Sequence, residues 1–159
     1  MEFWHQIRHF LPKEFDDPDY PGSHTYMDSM TIILADRLRH RTGWPIRTNN
    51  KHGVYGCVCM TKGHHSADSF HNYDNPNGCS AIDCHFVTDA SPREQARAIH
   101  QSGFTGIGIY QDCWEWPTYP AREIKGKKVL PIGFHLDRRP AERFQVWKRE
   151  DGEYIYLLR

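Results

Sequence analysis

The sequence predicts a single α+β domain over residues 1–159, a small antiparallel sheet with flanking helices. Three observations predict it. A chain of 159 residues can close one hydrophobic core without disulfide staples and needs no second domain. Two segments, 26–41 and 91–103, carry helical signals. Several short, branched or aromatic stretches bounded by turn residues have the character of strands.

Each element has its own justification. In 26–41, Met27, Met30, Leu34 and Leu38 recur at helical spacing with arginines between them, and Gly43 and Pro45 end the run. Residues 44–48 read as a short strand, and 49–69, polar and rich in histidine and glycine, as loop. Residues 80–87 read as a strand on which Asp83 and His85 share a face. The second helix opens with Ser91 as N-cap, Pro92 at the first helical position and Glu94 completing a capping box. Residues 106–110 and 129–137 read as two more strands separated by a long insert, 111–128, with His135 and Asp137 on one face of the second. The segments 144–147 and 154–157 flank Glu150-Asp151-Gly152-Glu153, a hairpin signal.

Composition excludes several function classes. The formal net charge is zero and the two signs are interspersed, so the basic footprint of a nucleic-acid-binding surface is absent. No apolar run is long enough to span a bilayer, and the N-terminal residues lack a signal peptide's basic and apolar regions. Cytoplasmic synthesis without membrane insertion is the expectation, and the chain is expected to be a monomer. Five cysteines with no CxxC pair give neither a disulfide framework nor a zinc knuckle. Cys57-Val58-Cys59 read as a soft-metal or redox site lacks a partner pair.

The chemistry concentrates in His71, Asp83, His135 and Asp137. Neutral imidazole and carboxylate are ligands that suit zinc, and three protein ligands with one open position characterise hydrolytic sites. Taken singly, each of these residues has an ordinary structural role available. His85 is an alternative ligand, since it shares a strand face with Asp83.

Taken together, Ser69-Phe70-His71, Gly78, Ala81-Ile82-Asp83, Gly106-Ile107-Gly108-Ile109-Tyr110 and the run from Phe134 to Arg139 resemble the zinc D-alanyl-D-alanine carboxypeptidase family. That family includes phage endolysins and shares its fold with the hedgehog signalling domain. The resemblance covers most of the chain. It implies Zn²⁺ held by His71, Asp83 and His135, with a water as the fourth ligand. It also implies hydrolysis of an amide bond in peptidoglycan stem peptides or cross-links, as a carboxypeptidase or murein endopeptidase, in phage or prophage lysis at the cell wall. The physical reading agrees, because zinc lowers the pKa of bound water to about 7 and polarises a carbonyl.

Asp137 is then either the general base or the acceptor that orients a histidine ligand, the latter being expected. Glu115 is a second candidate base, and His65 occupies a place where some members keep a histidine that steadies the transition state. Arg47 and Arg139 are candidate contacts for the substrate, as are Trp114 and Trp116 in the insert. The family pattern is broken at three places. The step from His71 to Asp83 is lengthened by residues 72–77, Ile132 stands where members commonly hold an acid, and Thr48-Asn49-Asn50-Lys51 replaces a motif that carries an arginine. The same fold without catalysis, as a wall-binding or virion assembly module, is the competing expectation.

Overall fold

Asp28 begins the longer helix, α1 (Ser29–Thr42), by accepting hydrogen bonds from the backbone N–H and hydroxyl of Thr31 at 2.8 and 2.7 Å. This satisfies one of the free donors of the first turn. Arg39, His40 and Arg41 occupy the last turn, where cations are favoured, and Gly43 caps it. The helix starts later than the sequence pattern suggests. Met27 instead ends a preceding 3₁₀ turn and bridges to Cys79, Met30 faces solvent, and the buried stripe is Thr31, Ile32, Ala35 and Leu38. The second helix, α2 (Pro92–His100), has the expected capping box between Ser91 and Glu94 and buries Ile99.

The computed structural model describes residues 2–48, 56–111, 113 and 121–158. Their strands are β1 (Ile46–Thr48), β2 (Ala81–Phe86), β3 (Gly106–Tyr110), β4 (Arg122–Ile124), β5 (Lys127–Val129), β6 (Gly133–Asp137), β7 (Gln145–Glu150) and β8 (Glu153–Leu158). Six form one sheet in the order β1-β2-β6-β3-β7-β8, and β4 pairs with β5 apart from it. The domain is therefore mixed α/β. Its main sheet is larger than the small sheet expected and not wholly antiparallel, since β7 returns beside β3 in parallel. No local pattern in either strand specifies that neighbour.

The stretch 129–137 is not one strand. Pro131 has no N–H for a ladder bond, so pairing is interrupted there. Val129 ends β5, and β6 begins at Gly133. The C-terminal hairpin is as expected, with Asp151 and Gly152 at φ 50° and 81° in the left-handed conformation that a two-residue turn requires.

Alternation along the strands gives the sheet two chemically different faces. Ile82, Cys84, Phe86, Ile107, Phe134 and Leu136 join Ile32, Leu38 and Ile99 in one apolar core. The opposite face carries Asp83, His135, Asp137 and Trp147, and the site is built there.

Candidate metal centre

Two of the three candidate ligands are placed by strand pairing alone. Asp83 on β2 lies directly across from His135 on β6, so both side chains leave the same face side by side. His71 comes from a loop whose backbone is tied on both sides. Its carbonyl accepts from Cys59 N–H at 2.9 Å, and the adjacent Phe70 carbonyl accepts from Ser80 N–H at 2.9 Å. The long step from His71 to Asp83 is accommodated by Asn75, a buried amide that donates to the carbonyls of Asp68 and Ser69.

The three donor atoms converge. His71 Nε2 lies 3.1 Å from His135 Nδ1 and 3.4 Å from Asp83 Oδ1, and His135 Nδ1 lies 2.8 Å from Asp83 Oδ1. Ligands about 2.0–2.2 Å from a tetrahedral zinc would be about 3.3–3.6 Å from one another, so a separation of a few tenths of an ångström brings these atoms to such an ion. The outer ring nitrogens fit as well. His71 Nδ1–H donates to the Cys57 carbonyl at 3.0 Å, and His135 Nε2–H donates to Asp137 Oδ2 at 3.0 Å. Each ring is thereby held in the tautomer whose lone pair points at the shared centre. His71, Asp83 and His135 thus form a triad able to hold a metal ion, the one such group among the described residues.

The charges of the cluster are strongly coupled. Burial opposes ionisation of Asp83, but the two imidazoles outweigh it and hold the carboxyl well below the usual carboxylate range. Burial likewise opposes the charge on Asp137, and bonds from Arg139 and His135 outweigh it in the same direction. For His135 burial favours the neutral ring, yet hydrogen bonds to Asp137 and Asp83 raise its pKa to about 9.

Asp137 is fully buried and doubly engaged. Arg139 clamps it through Nε at 2.8 Å and through Nη2, while its Nη1 bonds Gln145 and its guanidinium lies over Trp147, 4.9 Å from the ring. Asp137 is thus positioned to fix the orientation of the His135 ring. Arg139, expected as a substrate contact, lines the cavity but is committed to Asp137.

The glycines of Gly106-Ile107-Gly108 owe their place to close approach. A Cβ on Gly106 would lie 2.1 Å from Asp137 Oδ1, and one on Gly108 would lie 2.7 Å from the Trp147 indole. The bare backbone lets the carboxylate and the ring lie flat on the sheet. Trp147 then packs against His135 with ring centroids 5.3 Å apart.

The triad opens into a cavity of about 480 Å³. His65 lines it, stacked on His71 with centroids 4.6 Å apart. Arg47 does not line it; this side chain is exposed on β1 opposite His85. His85 turns toward Arg122, 3.2 Å away, and is no part of the triad. Ile132 packs on the apolar core. Glu115, Trp114 and Trp116, like Lys51, lie outside the described residues.

Sequence reasoning missed Trp147, Tyr110, Arg149, Tyr154 and Tyr156, all of which line the cavity. The glycines spaced two apart on β3 were the available signal, since they leave room for a large group above one face.

No family model matches the chain, and no curated protein or solved structure is significantly similar to it.

Proposed function

We propose that the protein is a zinc-dependent peptidase that hydrolyses an amide bond in peptidoglycan stem peptides or cross-links, acting in phage or prophage lysis of the cell wall. The observation that carries this reading is the convergence of His71 Nε2, Asp83 Oδ1 and His135 Nδ1, with both imidazoles locked from behind, in the wall of a cavity. A donor set of two imidazoles and one carboxylate suits zinc better than magnesium or calcium, which prefer all-oxygen sites. When bound there, zinc supplies a Lewis acid that acidifies water and polarises an amide carbonyl.

The chain's own residues supply the rest. Asp137 keeps His135 in the required tautomer, and Arg139 neutralises Asp137 and fixes its position. With Asp137 engaged in this way, proton transfer falls to His65, half-buried in the cavity wall against His71, with Glu115 as the second candidate. Substrate orientation falls to the aromatic and cationic wall of the cavity. The motif resemblance to the D-alanyl-D-alanine carboxypeptidase family, carried by the segments around His71, Asp83 and His135, supports the same substrate class.

A second reading is favoured by one observation. Ile132 stands where the family commonly holds its acid and packs on the core, so that position offers no proton acceptor. A metal-bound module that binds wall fragments without cutting them would show this.

Metal analysis and turnover separate the two. Protein refolded or purified with zinc is expected to hold one ion per chain and to release new amines from murein, with loss of both on EDTA treatment. Stoichiometric zinc without amine release favours the binding module. His71→Ala with full zinc content and full cleavage would overturn the site.

A further inference from the structure

A second cavity lies against α1 and shares no lining residue with the cavity of the metal centre. Its volume is about 510 Å³, within the range of small-molecule sites. One wall is the chain following the first 3₁₀ turn (Glu2–Gln6), which supplies Ile7 and Arg8. The other is a single stripe of α1, in which Ile33, Asp36, Arg37 and His40 share one face by their i, i+3, i+4 and i+7 spacing. Hydrogen bonds tie the two walls together. Asp36 Oδ1 accepts the backbone N–H groups of Arg8 at 3.1 Å and His9 at 2.8 Å, and Arg39 Nη1 donates to the His9 carbonyl at 2.7 Å. The His9 and His40 rings meet at 3.3 Å. The concavity is therefore set by the fold.

Charge in this cavity is one-sided. The one acid among the described residues of its lining, Asp36, is buried and spends Oδ1 on two backbone N–H groups. Arg8 and Arg37 are exposed, and neither guanidinium makes a hydrogen bond or ion pair among the described residues. Arg139 and Arg41 differ, with donors committed to Asp137 and to the carbonyls of Ala98 and Gln101. The His9 and His40 nitrogens have the spacing of two ligands of one ion, but no third donor joins them, since the triad is the one such group among the described residues. The arginines nearby would also repel a cation.

We propose that this cavity binds a phosphate monoester, with Arg8 and Arg37 holding the phosphate from the two walls and Ile7 and Ile33 supporting the apolar part of the ligand. A monoester carries close to two charges on three terminal oxygens, so each guanidinium fork can make a bidentate pair with it. A carboxylate, with one charge and two oxygens, is satisfied by a single fork. Ile7 and Ile33 are half-buried, so a phosphate attached to an apolar body gains burial that free phosphate does not. The cavity belongs to α1, which packs on the apolar face of the sheet, whereas the triad stands on the other face. The proposal is therefore independent of the hydrolase reading.

The test is calorimetric titration of the intact chain, stripped of metal on a chelating resin, with phenyl phosphate at pH 8, where the monoester is doubly ionised. Benzoate and methyl phenyl phosphate present the same ring on a carboxylate and on a singly charged diester. Phenyl phosphate is expected to bind one site per chain, about tenfold or more tighter than either, the worth of a hydrogen bond to a charged group. Arg8→Gln and Arg37→Gln are each expected to weaken it about tenfold or more. Arg93→Gln, an exposed arginine of α2 outside the cavity, should leave it unchanged. Circular dichroism establishes that each variant is folded. Should one fail to fold, amide chemical shifts of the wild type locate the ligand, with the changes expected at Arg8, His9 and residues 36–40. Shifts confined to β2, β6 and β7 would put the ligand at the metal centre and overturn the proposal. So would the absence of saturable binding, an affinity unchanged in either cavity variant, or an equal loss in Arg93→Gln, which marks diffuse attraction to charge. Benzoate or the diester bound as tightly as phenyl phosphate overturns the assignment of a doubly charged phosphate.

Discussion

Asp137→Asn is the most informative single change, because it alters two opposing terms with different pH dependence. In the wild type, Asp137 accepts the His135 Nε2–H at 3.0 Å and helps raise that imidazole's pKa to about 9. A metal must displace this proton, so apparent affinity should climb about tenfold per pH unit toward pH 9 and then level. At pH 7 the proton costs the wild type about a hundredfold in affinity, two units below that pKa. Asparagine has a similar shape but no charge. It makes His135 a poorer ligand, which for an outer carboxylate is worth about 10- to 100-fold in metal affinity. It also lowers the competing pKa, which returns affinity at neutral pH. The variant should therefore bind zinc 10- to 100-fold more weakly than wild type above pH 9, with the gap closing toward pH 7. Competition against a chromophoric zinc chelator at pH 7, 8 and 9.5 reads both effects. A ratio that stays constant across pH, or equal affinities at pH 9.5, would refute the assigned link between Asp137 and His135.

Three further outcomes follow from the same contacts. For metal-free protein the sign is fixed by a folded-state pKa of His135 above its ordinary 6.5: its stabilising contribution is complete below pH 6.5 and lost as pH rises through about 9. Thermal melts in EDTA should fall over that window, by up to about 3 kcal/mol of stability, whereas zinc-loaded protein should not follow; a flat metal-free curve would contradict the coupling. Gly108→Ala places a Cβ 2.7 Å from the Trp147 indole, so the ring must lift from the sheet; a loss of about 1–3 kcal/mol with a red shift in tryptophan emission is expected, and unchanged emission would count against the packing. Asp28→Ala removes the cap of α1 together with an ion pair to Arg138, and should cost about 1–2 kcal/mol in a urea titration without altering zinc affinity.

How the site is assembled explains which parts could be read in advance. His71, Asp83, His135 and Asp137 stood out because a metal centre restricts residue type, and restricted types leave a trace in one chain. Arg139 was nominated as a substrate contact, and the structure pairs it with Asp137 in the cavity wall. Its proximity in sequence to Asp137 was visible, whereas its stacking over Trp147 depends on β7 lying next to β3. Arg47 was nominated as a stand-in for the arginine the family motif carries, yet it sits exposed on the edge strand β1, beyond the residues that line the cavity. Tyr154 and Tyr156 were seen only as one arm of a hairpin.

The sequence by itself determined the local elements: the caps at Ser91 and Gly43, the Asp151-Gly152 hairpin and the alternation that puts His135 and Asp137 on one face of their strand. These are interactions among neighbours along the chain, so short windows contain them. Only the tertiary structure decided that β2 and β6 lie adjacent with Asp83 opposite His135, that β3 and β7 run parallel, and that a loop brings His71 to the same point. Strand order and register are chosen by burying the whole apolar face at once, a global minimum that no local pattern encodes.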